Sequence, residues 1–378
     1  MLSKRRCSWR ERLARVMALT LAAGLALIAW PAVVHGAAPF TAADVCRSVA
    51  EKNLVDASAG WVRPSPHYHD GTWLRDAFWT TGYLGPQVGR NALDLFGRNL
   101  APDGQAPTRL SVAGVPDQYY DDESTLLYLI WAIRDGGQPS DRLDQAWRWV
   151  SDHVVNGAYW TPAGNFHTWH DTFVFPSADV ATYNQGLYAA AVLAAQRVGL
   201  AGDAEVEAAV SAYRSLYRGE RGYGYLPVSK NLDYRDVSAL VGQVLARTIF
   251  DESLLEDWAV IKTVRALPRA GQGFAVLTDR YGMPLPDENF SPRLARGEYH
   301  NGGSWLLYDV LAWTAARMAG DKTAGGAAEN RLLSEVSTGT LREYLRTGTA
   351  ARLGSSPART DYAWNSYACT AISWRPKG

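Results

Sequence analysis

The sequence predicts an all-α protein folded as an (α/α)6 barrel, in which six outer helices enclose six inner ones, with a small β-hairpin in one loop. Three observations carry this prediction. Apolar residues recur with helical spacing in twelve segments, strand signals are weak, and clusters of polar and aromatic residues recur at or just before helix starts. If the six inner helices point the same way, the six clusters meet at one end and form a pocket.

The predicted helices are of two kinds. Charged amphipathic segments, such as 140–155, 203–218 and 325–347, suit the outer layer. Segments that are apolar around most of their circumference suit the inner layer, and these include 122–136, 180–199 and 301–319. The full set of predicted helices is 41–53, 73–82, 86–99, 122–136, 140–155, 180–199, 203–218, 236–250, 252–267, 301–319, 325–347 and 363–373.

Six polar clusters accompany these helices, and one loop between them suits a hairpin. The hairpin is expected around Ala158–Trp169, where the residues Pro-Ala-Gly-Asn favour a turn. The clusters are Trp73–Asp76, Tyr120–Glu123, the loop around Asp171, Asp233–Asp236, Glu298–Trp305 and Thr360–Trp364. No single cluster is specific, and the prediction depends on their recurrence.

Residues 1–38 are interpreted as a signal peptide. Six Lys and Arg residues precede the mostly apolar run Val16–Val34, and the small residues of Gly36–Ala38 suit cleavage. The alternative is an uncleaved membrane anchor, because about 19 apolar residues nearly span a bilayer. Cleavage would leave residues 39–378 as one barrel domain, exported to the periplasm or outside the cell and without stable membrane insertion.

The charge of the chain indicates which partners it can bind, and its cysteines indicate a disulfide. The whole chain has 38 basic and 38 acidic residues, and cleavage removes six of the former and one of the latter, so the mature chain is acidic. This argues against nucleic acid as a partner. Two cysteines remain, Cys46 and Cys369. We expect them to form a disulfide, since the first and last helices of a closed ring are neighbours; two separate thiols are the alternative.

Fifteen Trp and nineteen Tyr are many for this length, and several lie beside His, Asp and Asn in loops. Aromatic faces of this kind suit sugar rings. Asp171 lies between Trp169 and Phe173, where loss of water would raise a carboxyl pKa and allow the acid to protonate a leaving group. The alternative is an ordinary loop or capping aspartate.

Several motifs, in order along the chain, resemble those of six-hairpin glycosidases. T-W-H-D at Thr168–Asp171, followed by T-Y-N-Q-G-L-Y, is similar to a pattern of amylo-α-1,6-glucosidase domains. W-L-R-D-A-F-W at Trp73–Trp79 and D-D-E-S-T-L-L-Y-L-I-W at Asp121–Trp131 resemble motifs of those domains and of processing α-glucosidases. E-Y-H-N-G-G-S-W at Glu298–Trp305 resembles a motif of alkaline and neutral invertases. R-E-Y-L-R-T-G at Arg342–Gly348 and Y-A-W-N-S-Y-A at Tyr362–Ala368 resemble the C-terminal signature of the same glycosidases.

The resemblance implies an inverting, exo-acting glycosidase on α-glucosidic linkages, without a cofactor or metal. It implies that Asp171 is the general acid and Glu343 the general base, on opposite sides of the scissile bond. The sugar-binding positions would be Trp73, Arg75, Asp76, Asp122, Trp169, Asn184, Glu298, His300, Asn301, Trp305 and Trp364.

Other assignments stay open at this point. His170 replaces an apolar residue usual in T-W-x-D, and the stretch after Glu343 is longer than usual. Glu298 is therefore the alternative base, and Glu343 could instead be a solvated glutamate on a charged helix. Asp121 and Asp122 could form a catalytic pair, as in α-mannan hydrolases of similar shape. At the level of the whole protein, the alternatives are a carbohydrate-binding pseudoenzyme and a protein-interaction scaffold.

Overall fold

The computed structural model of the chain describes residues 41–219, 224–347 and 359–374, so the predicted signal peptide lies outside the described residues. Within these ranges twelve α-helices form, and none is both long and apolar enough to cross a membrane. They are α1 Ala42–Asn53, α2 Leu74–Leu84, α3 Pro86–Gly97, α4 Glu123–Arg134, α5 Asp141–Asp152, α6 Thr182–Arg197, α7 Asp203–Ser215, α8 Val241–Leu245, α9 Asp257–Ala266, α10 Leu306–Met318, α11 Ala324–Val336 and α12 Tyr367–Ser373.

Six of these helices form a closed inner ring. In order, α2 packs against α4, α4 against α6, α6 against α8, α8 against α10, α10 against α12, and α12 against α2. Helices α3, α5, α7, α9 and α11 each lie between or beside inner neighbours, and α1 completes the outer layer. The predicted (α/α)6 barrel is therefore confirmed.

The inner helices are buried on nearly every side. Every residue of α6 from Thr182 to Ala195 is buried, and α4 and α10 are enclosed in the same way. The small side chains of α6 allow close packing on α8. A Cβ atom at Gly242 would lie 2.1 Å from the backbone of Gly186, so glycine is required where these two helices meet.

The first described helix, in the outer layer, meets the last one, in the inner ring. Helix α1 packs against α11 and α12, and a disulfide joins Cys46 to Cys369 with their Cα atoms 6.6 Å apart. The expected pairing is thus present in the structure. It closes the ring between the first and the last helix.

Short antiparallel strands supplement the helices. The strands are β1 Leu54–Asp56, β2 Trp61–Val62, β3 Gly71–Trp73, β4 Arg109–Ser111, β5 Pro116–Gln118, β6 Val154–Val155, β7 Ala158–Tyr159, β8 Arg235–Asp236, β9 Arg269–Ala270, β10 Gly273–Phe274 and β11 Leu277–Thr278. Strands β3, β4 and β5 form a three-stranded sheet, and the others pair in twos. The sequence placed a hairpin at Ala158–Trp169, but the hairpin pairs β6 with β7 around Asn156 and Gly157, both of which have a positive φ.

Five predicted helices differ from the structure in type or by more than three residues at one end. Helix α9 begins at Asp257 instead of 252, and a 3-10 turn at Ala363–Ser366 precedes α12, where one helix was predicted over 363–373. The segment 236–250 is composite: a 3-10 turn at Val237–Leu240 precedes α8, and a π-helical turn follows it at Ala246–Phe250. Helix α10 begins at Leu306 instead of 301. Helix α11 ends at Val336 instead of 347, because the chain turns at Gly339, whose φ is +76°.

Candidate active site

A cavity of about 210 Å³ opens where the N-terminal ends of the inner helices converge. Its lining is strongly aromatic and carries two carboxyl groups. The lining residues are Pro64, Tyr68, Trp73, Arg75, Asp76, Gln118, Tyr120, Trp169, Asp171, Tyr299, His300, Trp305, Tyr362 and Trp364. A larger hollow of about 410 Å³ lies at the other end of the inner helices, away from every predicted site residue.

The three-stranded sheet brings two of the polar clusters together. Strand β3 runs directly into α2, and Thr108, next to β4, binds both clusters: its carbonyl accepts from the Leu74 amide at 3.0 Å, and its hydroxyl accepts from the Asp121 amide at 3.2 Å. The start of α2, with Arg75, is thereby fixed beside the start of α4.

Arg75 crosses the floor of the cavity. Its Nη1 donates to Oε1 of Glu123 at 2.6 Å, and its guanidinium lies 5.3 Å from the Trp364 ring centroid. Burial raises the pKa of Glu123 to about 7, although Arg75 opposes the increase. Arg75 therefore supplies a positive charge within reach of the carboxyl groups around it.

Asp171 lines this cavity from a loop that is hydrogen-bonded to the segment around Asn289 and Ser291. The Ser291 amide donates to the Thr172 carbonyl at 2.7 Å, and the Val174 amide donates to Asn289 at 2.9 Å. The Asp171 side chain remains 32% exposed, and its Oδ1 lies 3.5 Å from Nδ1 of His300. Burial raises the pKa of Asp171, while Arg75 and His170 lower it.

His300 is held neutral next to that acid. Burial lowers its pKa well below the usual histidine value, and its Nδ1 lies 2.8 Å from Oγ1 of Thr172. Its ring is stacked on Trp305, with 5.4 Å between centroids. The neutral ring is therefore fixed in orientation and can exchange hydrogen bonds with a polar ligand.

His170, the unusual residue of the motif, is buried beneath the acid. Its Nε2 lies 3.2 Å from Oδ1 of Asp236, and both side chains are almost completely buried. Asp236 is fixed in turn by the hydroxyl of Ser238 at 2.7 Å. The cluster at the start of the composite helix thus contacts the Asp171 loop from below.

Glu343 is buried near the same cavity. It is 4% exposed, and the hydroxyl of Tyr68 lies 3.4 Å from its Oε1. Burial, together with the charges of Asp76 and Asp171, raises the pKa of Glu343 to about 8. Among the described residues no ion pair involves Glu343, so it is not the solvated surface glutamate considered above.

Asp76 is a third carboxyl of the group. Burial raises its pKa to about 7; Arg75 and a hydrogen bond from Tyr362 oppose this, and Asp171 adds to it. The charge of Asp171 raises the pKa values of both Asp76 and Glu343, so the protons of the three carboxyls are lost in steps that belong to the group. Such coupled carboxyls with raised pKa values are typical of catalytic sites.

Indole rings form the remaining wall. Trp169 stacks on Tyr308, with centroids 3.7 Å apart, and packs edge-on against Trp305. Within the described part of the chain, Nε1 of Trp169, of Trp305 and of Trp364 is buried without a hydrogen-bond partner. Buried donors are normally satisfied, so three N–H groups at one cavity point to a ligand rich in acceptor oxygens.

The cavity includes most of the predicted site residues: Trp73, Arg75, Asp76, Trp169, Asp171, His300, Trp305 and Trp364. Glu343 lies outside this lining, and so do four other predicted residues. Asp122 lies 3.7 Å from His167; Asn184 binds Thr161 and a backbone carbonyl; Asn301 binds two backbone carbonyls; and Glu298 forms an ion pair with Arg346 at 2.5 Å. These four hold the surrounding loops.

Six lining residues, and one residue that supports them, were not among the predicted site residues. Tyr299 and Tyr362 lie inside the motifs described above, next to the predicted His and Trp residues. The other lining residues are Pro64, Tyr68, Gln118 and Tyr120, and the supporting residue is Glu123, which binds Arg75. In the described residues no cluster of His, Cys, Asp and Glu could hold a metal ion.

No protein-family model and no curated protein matches this chain. Solved structures do. A wild-type glycosidase is 16% identical with a TM-score of 0.59, and a glycosidase variant in complex with glucose is 15% identical with a TM-score of 0.60; each match covers 88% of this chain and 96% of the other.

A third structure is GH63 mannosylglycerate hydrolase from Thermus thermophilus in complex with glucose. It is 12% identical with a TM-score of 0.56, over 89% of this chain and all of the other. The resemblance read from the motifs therefore holds at the level of architecture, and the chain has the (α/α)6 fold of the six-hairpin glycosidases.

Proposed function

We propose that the protein is a glycoside hydrolase that removes single sugars from the ends of α-linked glucosides with inversion at the anomeric carbon. The observation that carries the proposal is an aromatic cavity lined by Asp171, with Glu343 buried next to the lining residue Tyr68 at 3.4 Å. The charge of Asp171 contributes to the raised pKa of Glu343. The cavity, about 210 Å³, is smaller than the roughly 300–1,000 Å³ of sites for drug-sized ligands, which suits one sugar ring.

In the proposed reaction Asp171 donates its proton to the glycosidic oxygen as the bond to the anomeric carbon breaks. Glu343 accepts a proton from a water that attacks the opposite face, so the product has the inverted configuration. The raised pKa of Asp171 supports its role, because it increases the protonated fraction of the acid at any given pH.

The general base must be ionised, and burial favours the neutral form of Glu343 while the cavity holds no sugar. The active form of the pair has one proton, on Asp171, and one charge, on Glu343. Hydrogen bonds from the attacking water and from Tyr68 to Glu343 stabilise that form. Activity should therefore follow a bell-shaped pH profile that reports on the pair.

Two alternatives have weaker support. Glu298 forms an ion pair with Arg346 and does not line the cavity. The Asp121 and Asp122 pair of an α-mannan hydrolase lies outside the cavity lining, and Asp121 instead accepts from the Ser124 amide at 3.0 Å. We also propose export from the cell, supported by the Cys46–Cys369 disulfide, since such bonds persist in oxidising compartments.

The test is hydrolysis of a panel of α-linked oligosaccharides, with the anomer of the first product followed by NMR. We expect release of a single sugar with inverted configuration. Asp171→Asn and Glu343→Gln should each lower turnover by about 10²–10⁴-fold while binding remains, and Asp122→Asn is the matched control. A retained configuration would refute the mechanism, and binding without hydrolysis in the wild type would favour a pseudoenzyme.

A further inference from the structure

Two aromatic side chains stand at the mouth of the cavity and differ from those inside it. The rings of Tyr120 and Phe166 contact each other with centroids 4.9 Å apart and planes inclined by 55°. Each residue is 37% exposed, whereas Trp169 at the cavity wall is 1% exposed. Tyr120 lines the cavity, so this pair continues its wall outward into solvent.

Phe166 is held in an unfavourable backbone conformation. Its φ is +69°, in the left-handed region that a bulky residue rarely occupies. Both flanks of the residue are fixed: Gly164 and Phe175 exchange backbone hydrogen bonds of 2.9 and 2.8 Å, and Asn184 donates to the His167 carbonyl at 2.8 Å. The hydrogen bonds on both sides of Phe166 thus hold it in a strained conformation in which its ring is partly exposed. Strain of this kind is common at functional sites, which suggests a function for the ring.

Tyr120 and the proposed acid Asp171 both line the cavity, whereas the proposed base Glu343 lies outside its lining. The charge of Asp171 also contributes to the raised pKa of Tyr120, which burial brings to about 12. The tyrosine next to Glu343 is Tyr68 instead. An acid that protonates a glycosidic oxygen lies next to the departing group, so Tyr120 and Phe166 face the space that this group occupies.

We propose that Tyr120 and Phe166 form a stacking platform for the sugar ring of the leaving group. This inference rests on the proposed function. A pyranose has an apolar C–H face that fits an exposed aromatic pair, whereas a small aliphatic alcohol or acid has no such face. The substrate class is therefore a disaccharide or oligosaccharide, with its terminal sugar in the cavity and the next ring on the platform.

The test compares an α-linked glucose disaccharide with α-glucosyl fluoride, which lacks a second ring. For Phe166→Ala, the ratio of kcat/KM on the disaccharide to kcat/KM on the fluoride should fall about tenfold, equivalent to about 1.4 kcal/mol. Phe166→Trp should keep that ratio within about twofold of the wild type, because it restores the aromatic face. Tyr281→Ala, at another exposed tyrosine, is the control and should leave both rates unchanged.

The outcomes separate the platform from the proposed function. A Phe166→Ala ratio equal to that of the wild type refutes the platform even though hydrolysis is observed. If the wild type cleaves neither substrate, the proposed function fails, and the platform is then judged by ligand-observed NMR of disaccharide and glucose binding. In that experiment Phe166→Ala should weaken disaccharide binding more than glucose binding, and equal weakening would overturn the inference.

Discussion

Replacing Glu343 by Gln should make the protein more stable at alkaline pH. The folded chain holds this carboxyl at a pKa of about 8, against an ordinary value of 4.5, and burial is the main cause. A pKa that is raised on folding means that stability is greatest below pH 4.5 and decreases as the pH rises through about 8. Glutamine has nearly the same shape and does not titrate, so the variant avoids this loss.

The size of the effect follows from the difference between the two pKa values. About 3.5 pH units, at about 1.36 kcal/mol each, set an upper value of nearly 5 kcal/mol above pH 8. Water entering the cavity lowers the cost of the charge, so we expect a gain of about 2–3 kcal/mol at pH 9. Near pH 5 the wild type and the variant should differ by less than about 1 kcal/mol.

Urea unfolding at pH 5 and pH 9 measures the difference in the free energy of unfolding between the wild type and the variant at each pH. The comparison requires that this free energy depends on urea concentration with the same slope in both proteins. Glu335→Gln is a matched control, since Glu335 is equally buried but bonds to Arg331 and Arg342 at 3.0 and 2.6 Å. Burial raises the pKa of Glu335, but these arginines more than offset it, and the net pKa is lowered. That variant should lose about 3 kcal/mol at both pH values. A Glu343→Gln variant that is no more stable than the wild type at pH 9 would refute the reasoning.

Three further predictions concern the acid, its neighbour and the disulfide. Asp171→Asn should lower kcat/KM on a disaccharide by about 10²–10⁴-fold in steady-state assays, and far less on a glycosyl fluoride; equal losses on both would argue against a role as proton donor. His170→Leu should move the alkaline limb of the pH–rate profile upward, because the charge of His170 lowers the pKa of Asp171, and an unmoved limb would contradict this. Replacing Cys46 and Cys369 by Ala should lower the free energy of unfolding by roughly 2–4 kcal/mol in urea titrations, since their bond closes a separation of 323 residues.

The fold could be predicted from the sequence because the evidence for it is periodic and repeated. The inner segments owe their apolar character to burial on all sides, as in α6, and the polar clusters recur because each inner helix contributes to one end of the ring. Local irregularities were harder to predict. The π-helical turn at Ala246–Phe250 has no sequence signature comparable to that of a regular helix.

Glu343 shows how an error of secondary structure affects the prediction of a site. Its charged surroundings suggested the solvent face of a long helix, but α11 ends at Val336 and Gly339 reverses the chain. The segment beyond is extended: the Glu343 amide donates to Arg359 at 2.8 Å, and the Leu345 amide donates to Ser304 at 2.8 Å. Gly339 was the signal that could have ended the predicted helix.

Asn184 and Asn301 were predicted to bind sugar, but in the structure they support loops. Both belong to motifs that resemble sugar-binding sequences, yet their amides donate to the backbone of loops at the cavity, Asn184 to His167 at 2.8 Å and Asn301 to Leu294 at 2.9 Å. A sequence motif contains both the residues that contact a ligand and the residues that hold the loop in place, and the sequence does not distinguish them. Only the contacts of the folded chain make that distinction.

The charge balance of the cavity bears on the kind of ligand that it suits. Among the described residues that line it, Arg75 alone has a fixed positive charge, and Glu123 neutralises it at 2.6 Å. Burial raises the pKa values of Asp76, Asp171 and the nearby Glu343, and an anionic ligand would meet further negative charge whenever one of them ionises. A neutral sugar avoids that repulsion while its oxygens accept from the indole N–H groups. The same burial that raises the pKa of the proposed acid thus favours an uncharged substrate.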